Sequence, residues 1–293
     1  MQGDDTTVSD VGHGVPIPKV DDCLVVVHQR SGMIGRCIKL ARFPVRIGRE
    51  LGNEILLDDY GVSRRHARID RRGSRTVIMD ASSRNGTFVN GVELDGIVTL
   101  KTGDRIKMGS VVFKYLSGGD PDAQLHEQIY LSAITDDLTE LSNKRYLTET
   151  LGRELSRARR HRHPLSLLVL DIDHFKRVND AHGHHVGDVA LRAVADVVRA
   201  HVRAEDTAAR YGGEEIAILL PETDLASAAA LAEQLRSAIE SQVIVFRELQ
   251  IKVTVSVGCA QLREADTEPS ALFIRADEQA YRAKKTGRNC VRW

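Results

Sequence analysis

The sequence predicts two domains of different class: an all-β sandwich, then an α/β domain. Three observations lead there. The 293 residues suit about two domains of roughly 100–200 residues each. Residues 20–117 break into short β-type runs separated by turn signals, with no helical period. From Thr135 onward, buried apolar runs alternate with helical stripes.

Taken in order, residues 1–19 are acidic and then rich in Gly and Pro, and read as a flexible tail. Strands are expected at Leu24–His28, Pro44–Ile47, Val77–Asp80 and Val111–Tyr115, between turns at SG, RRGS, NG and TGD. The stretch from Ser117 to Pro121 reads as a hinge. Within a linker of residues 118–134, Leu125, Ile129 and Ile134 predict a short amphipathic helix. In residues 135–293 the expected elements are a strand at Leu165–Leu170, a helix at Val186–His201 and a strand at Ile216–Leu220. A helix at Ser227–Ile239, a strand at Val253–Val257 and a final helix near Asp277–Lys284 complete the series.

Lys plus Arg and Asp plus Glu both number 41, so the formal net charge is zero. That excludes a generally cationic binder of nucleic-acid polymers. The balance is uneven, because residues 20–117 hold 17 basic and 11 acidic side chains. No apolar run approaches the roughly 20 residues of a membrane span. The first residues lack a basic region followed by an apolar stretch, so a cytoplasmic location and no membrane partner are expected. The four cysteines lack CxxC spacing and read as reduced thiols. The basic run at 154–164 has no interleaved aromatics and reads as a solvated helix face.

The chemistry concentrates in two places. LLVLDIDHFKRVNDAHGHHVGD delivers Asp171 and Asp173 from a buried strand, two residues apart and so on one face. RYGGEEI brings Glu214 and Glu215 to a glycine turn leading into the next strand. Acids gathered at adjacent strand ends hold hard divalent cations beside phosphates. With DDLTELSN (136–143) and AKKTGRN (283–289), these segments make residues 135–293 resemble the GGDEF family of diguanylate cyclases. The resemblance implies a palm-like α/β fold that condenses two GTP into cyclic di-GMP and pyrophosphate. It places Asp171, the carbonyl of Ile172 and Glu214 on two Mg²⁺ ions per site, with Mn²⁺ as a substitute. Asn179 and Asp188 would read guanine, and Lys176, Lys284 and Arg288 would hold phosphates. Glu214 or Glu215 would be the base, and Lys176 would assist catalysis. One GTP per domain implies a homodimer. Arg203 and Asp206 match the family's RxxD product site, where Gln234 stands in place of a second arginine. His182, His184 and His185 match the GHxxGD turn better than a zinc cluster. Two departures stand out: Ile216 replaces Phe, and Glu140 occupies a glycine position in the DxLTGL turn, which it is expected to perturb.

RIGR (46–49), SRRH (63–66) and SRNGTFVNG (83–91) supply hydroxyl, guanidinium and amide groups suited to a phosphate dianion on an extended peptide. Residues 20–117 thereby resemble a forkhead-associated (FHA) domain. The resemblance implies phosphothreonine binding by Arg49, Ser63, Arg64 and Asn85, with Gly48, His66 and Gly86 structural. Thr6 and Thr7 are candidate phosphorylation sites through which the tail could dock on this domain. The whole reads as a phosphothreonine-regulated diguanylate cyclase. The alternative is a silent scaffold that binds cyclic di-GMP or GTP and docks phosphorylated partners.

Overall fold

The computed structural model describes residues 21–29, 34–118, 120–266 and 268–293. Thr6, Thr7 and the tail lie outside the described residues. The chain divides into two compact units, with the main break between Glu127 and Gln128.

The first unit is made of strands: β1 Cys23–His28, β2 Cys37–Lys39, β3 Val45–Gly48, β4 Ile55–Leu56, β5 Ala67–Arg72 and β6 Arg75–Asp80. Next come β7 Thr87–Val89, β8 Val92–Glu93, β9 Ile97–Thr99, β10 Arg105–Met108 and β11 Val111–Leu116. They form one sheet in the order β2-β1-β11-β10-β7-β8 and another in the order β4-β3-β5-β6-β9. Period-2 alternation selects the inner faces. In β10, Ile106 and Met108 are buried while Arg105 and Lys107 are exposed. Ile47, Ile69, Ile78 and Phe113 are likewise fully buried, giving the core of the expected sandwich. The strands that the sequence reading did not name are short or carry charge on alternate positions, which masks their β character.

Asp22, just before β1, ties this unit's ends together. Its carboxylate accepts hydrogen bonds from Thr76 Oγ1, Tyr115 Oη (2.7 Å), Arg71 Nη2 (2.8 Å) and the Gly118 N–H (2.7 Å). Burial pushes this carboxyl up, but the bonds from Thr76, Tyr115 and Gly118 and the Arg71 charge outweigh it and hold the pKa below its ordinary value.

Beyond β11 run α1 Pro121–Ile134, β12 Ser142–Asn143, α2 Lys144–His161, β13 Leu165–Ile172, α3 Phe175–His182 and α4 His184–His201. They are followed by β14 Thr207–Arg210, β15 Glu215–Pro221, α5 Leu225–Ser241, β16 Ile244–Phe246, β17 Leu249–Ile251, β18 Val255–Gln261, α6 Pro269–Lys285 and β19 Val291–Arg292. In α1 only Ala123 is buried, while Leu125 and Ile129 are exposed.

The second unit's main sheet runs β12-β14-β15-β13-β18-β19, antiparallel except at its two edge pairs. All eight residues of β13 are buried, as a strand covered on both faces requires. Leu168, Leu170 and Ile172 pack with apolar residues of α4 and α5. The alternate positions Leu165, Leu167 and Val169 pack with α2 and α6. Ile216 lies wholly in the first of these clusters, so the missing Phe leaves an apolar site filled.

Two sequence boundaries need correction. The last long strand is Val255–Gln261, not Val253–Val257, and the last helix starts at Pro269, not near Asp277. One physical cause explains both. Small residues, Gly258 and Ala260 on the strand and Ala276 and Ala280 on the helix, make the contact between them, and small residues give a weak apolar signal. A Cβ at Gly258 would lie 2.1 Å from both Ala276 O and Ala280 N, so the helix backbone rests directly on the strand. The helix face read at 154–164 belongs to α2, which begins earlier, at Lys144, where its charge hides the helical period. Leu147, Leu151, Leu155 and Ala158 form a narrow buried stripe on an otherwise polar segment.

Because folding depresses the Asp22 pKa, its stabilisation is full above the ordinary value of 3.8 and is lost as pH falls through the lowered one. Asp22→Asn is expected to cost about 1–3 kcal/mol at pH 7 and to flatten the acid limb of the stability curve. Hydrogen exchange of the β1–β11 amides from pH 7 to pH 3 checks both.

Candidate functional site

The second unit's site starts at the end of β13, where the strand register sets Asp171 opposite Glu215 of β15 and opposite Ser256 of β18. The β14–β15 turn, residues 211–214, carries Glu214, whose carbonyl accepts from the Ile172 N–H at 3.3 Å. The Glu215 carboxylate folds over Gly212, 2.3 Å from where a Cβ would stand. Arg210 braces the turn by donating to Gly213 O (2.8 Å) and pairing with Asp136 at 3.3 Å. This joins the DDLTELSN and RYGGEEI segments.

Opposite the acids stands Lys284 of α6, with Nζ 2.6 Å from Asp171 Oδ2. Burial pushes the Asp171 carboxyl up, and the charges of Glu215 and Asp173 add to it. Lys284 only partly offsets them. Burial first, then Asp171 and Glu215, also raises Glu214. The cluster is thus overcharged for its degree of burial. No three His, Cys, Asp or Glu side chains already converge as a metal-ligand set among the described residues.

Asp173 lies near enough for its charge to act on Asp171, but it does not continue the strand face as the periodicity predicts, because β13 ends at Ile172. Its carboxylate instead accepts from Thr254 Oγ1 (2.8 Å), Ser256 Oγ (2.7 Å) and the Asn289 N–H (2.9 Å). The expected group of four acids is therefore Asp171, Glu214 and Glu215, with Asp173 bound into internal structure.

At the α3–α4 corner, Asn179 and Asp188 are half-buried. A Cβ at Gly187 would fall 1.9 Å from Asn179 Oδ1, so the glycine admits this amide. That oxygen is buried and has no hydrogen-bond partner. Lys176 and Arg288 are exposed, as are His182, His184 and His185. After α4, Arg203 donates its N–H to Asp206 Oδ2 at 2.8 Å, while Asp206 Oδ1 is buried and unpaired. Glu140 takes φ +56°, a left-handed conformation that favours glycine, at about 1–2 kcal/mol. The turn still closes: the Asp136 N–H reaches Leu141 O at 2.8 Å and Arg199 Nη1 lies 3.3 Å from the Glu140 carboxylate.

In the first unit, Arg49, Ser63, Arg64, Arg84 and Asn85 line one open cleft of about 810 Å³. Its walls are tied by a buried ring. His66 Nδ1 accepts from the Ser63 N–H at 2.9 Å and Nε2 lies 3.1 Å from Gly86 O. Ser63 Oγ accepts from the Arg84 N–H (2.9 Å), and Asn85 Nδ2 donates to Gly61 O (2.8 Å). Gly48 passes under Arg64, where a Cβ would lie 2.2 Å from its carbonyl oxygen. Sequence reasoning missed Arg84, whose only signal was its place beside Asn85.

Acids beside a lysine on a mixed sheet, joined in sequence to an arginine-lined β-sandwich cleft, define a two-domain class of β-sandwich followed by α/β domain. The particular family follows from comparison. The profile described as "Diguanylate cyclase, GGDEF domain" matches residues 133–290, and the FHA domain profile matches 45–109. The chain belongs to the GGDEF family of diguanylate cyclases and carries an FHA domain before it. It is 43% identical over 162 residues to the response regulator PleD of Caulobacter vibrioides, covering 54% of this chain and 36% of PleD. It is also 43% identical over 157 residues to the diguanylate cyclase DgcP of Pseudomonas aeruginosa, covering 54% of this chain and 23% of DgcP. The chain thus spans 36% or less of these relatives' length. Among solved structures, the GGDEF domain of DgcB from Caulobacter crescentus in complex with c-di-GMP aligns with TM-score 0.53 and 36% identity. That alignment covers 55% of this chain and 92% of that one. Among the described residues no helix is long and apolar enough to cross a membrane.

Gly258→Ala is expected to destabilise the second unit by about 1–3 kcal/mol, because the clash is with helix backbone. Thermal denaturation with hydrogen exchange of α6 measures it. Unchanged protection of α6 would show that the helix does not rest on this strand.

Proposed function

We propose that the protein condenses two GTP into cyclic di-GMP and two pyrophosphates, with the FHA domain reading a phosphothreonine peptide to regulate that activity. The observation that carries this reading is the charge gathered at the end of β13, where Asp171 stands opposite Glu215, pairs with Lys284 and acts on Glu214. In each of two transfers, a ribose 3′-hydroxyl attacks the α-phosphorus of the other GTP. A new P–O bond forms, the bond to pyrophosphate breaks and the hydroxyl proton leaves.

The donor set fits a hard cation. Two carboxylates raised by burial and mutual repulsion, together with the Ile172 carbonyl, are oxygen donors in excess of their neutralising charge. Asp171, Ile172 and Glu214 would hold Mg²⁺, two ions per site, with Mn²⁺ as a substitute. When bound, the metal supplies charge neutralisation on the phosphates and favours ionisation of the attacking hydroxyl. Lys284 and Arg288 bind phosphate oxygens, and Lys176 stabilises charge as the leaving group departs. Glu215 or Glu214 takes the hydroxyl proton, and the raised carboxyl pKa of Glu214 suits that residue to the role. Asn179 and Asp188 accept from the guanine edge, and the partnerless Asn179 Oδ1 supports that assignment.

Each domain holds one GTP, so turnover requires a homodimer. Leu125 and Ile129, exposed one turn apart on α1, support pairing with a second copy. Arg203 and Asp206 bind the product as a feedback ligand, and the unpaired Asp206 Oδ1 supports this. Arg49, Ser63, Arg64 and Asn85 grip the phosphopeptide, from a partner or from the chain's own tail at Thr6 or Thr7. The reaction takes place in the cytoplasm.

GTP turnover by the purified chain, followed by chromatography of the products, tests this reading. The unmutated chain is expected to release cyclic di-GMP and pyrophosphate, and Glu214→Ala to lose at least about 10²-fold in rate. Addition of phosphothreonine peptide is expected to change the rate. No product at any protein concentration would support the silent scaffold.

A further inference from the structure

The turn that follows α6 holds three consecutive residues in left-handed conformations. Gly287, Arg288 and Asn289 have φ of +117°, +64° and +45°. Glycine adopts such values freely, but Arg288 and Asn289 do so against crowding at Cβ, and conformations of this kind persist only where the surroundings overdetermine them. The surroundings do so at Asn289. Its N–H donates to Asp173 Oδ2 at 2.9 Å, Arg236 Nη1 donates to its Oδ1 at 2.8 Å, and its Nδ2 donates to Glu240 Oε1 at 2.7 Å. An arginine on one side and a carboxylate on the other leave a single amide orientation that satisfies both.

The anchors are themselves held. Arg236 of α5 pairs with Glu233 at 2.7 Å and Glu240 at 2.6 Å. Asp173 is fixed to Thr254 and to Ser256 of β18. The preceding residue, Arg288, donates its N–H to Ala283 O at 3.0 Å and keeps its side chain exposed. Asn289 thus locks the backbone of Arg288 to the segment just past Asp171 and to α5 at once.

We propose that Asn289 is a positioning residue for the phosphate end of the nucleotide: it clamps the left-handed turn so that Arg288 is aimed at the β- and γ-phosphates. This rests on the cyclase reading for the placement of Arg288. The alternative, a purely structural clamp, predicts equal damage to every ligand, whereas a positioning residue damages only ligands that reach Arg288. Asn289→Ala removes both side-chain bonds. Asn289→Gly removes them too but relieves the backbone, so it separates loss of the clamp from strain.

The experiment is calorimetric titration of the full chain, in magnesium buffer, with GMP and with a GTP analogue carrying a methylene bridge between its α- and β-phosphorus. Asn289→Ala, Asn289→Gly and Arg288→Ala are each expected to weaken the analogue about tenfold and to leave GMP within about twofold. The Asn289→Ala/Arg288→Ala double variant should be no weaker than Arg288→Ala, since both remove one interaction. The proposal is overturned if Asn289→Ala binds the analogue normally, if GMP weakens in parallel, or if the double variant multiplies the losses. Failure of the cyclase reading looks different: the unmutated chain would show this affinity pattern yet form no cyclic di-GMP.

Discussion

The second unit depends on a carboxylate held where water is scarce. Asp171 is the last residue but one of a strand buried along its whole length, and an uncompensated charge there is costly. Lys284 supplies the compensation at 2.6 Å, and it can do so only because α6 lies directly on β18. Gly258 makes that contact possible. A glycine at the middle of the seven-residue β18 thus decides whether a cation stands beside the acids.

The compensation is incomplete. Asp171 and Glu214 both stay above their ordinary pKa because burial and their neighbours outweigh one lysine. Residual negative charge of this kind costs stability, and functional sites commonly retain it. It leaves room for further positive charge beside Lys284. The first unit shows the opposite polarity. Its cleft presents Arg49, Arg64 and Arg84 around Ser63, with a buried histidine tying the loops so that the donors are in place before a ligand arrives.

The sequence showed the two domain classes clearly because their periodicities differ. The motif residues were legible because each segment keeps its acids, glycines and cations at fixed spacing. What sequence reading could not show is which of them touch. Asp173 has the same strand spacing from Asp171 as a ligand pair would, but the strand ends between them and its carboxylate turns to Thr254, Ser256 and Asn289. The Arg210–Asp136 pair joins residues 74 apart. Arg236 looks like an ordinary helix-surface charge until Asn289 is seen beside it. Boundaries failed where packing relied on Gly and Ala, as at β18 and α6, because close backbone contact leaves little apolar signal.

The central claim is that Asp171 and its neighbours form a cation site completed by nucleotide. Electron paramagnetic resonance of Mn²⁺, titrated into the chain with and without the methylene-bridged GTP analogue, tests it most directly. The account predicts tight Mn²⁺ uptake that depends on the analogue and is lost in Asp171→Asn. Uptake of equal strength in Asp171→Asn, or none with the analogue present, would contradict it.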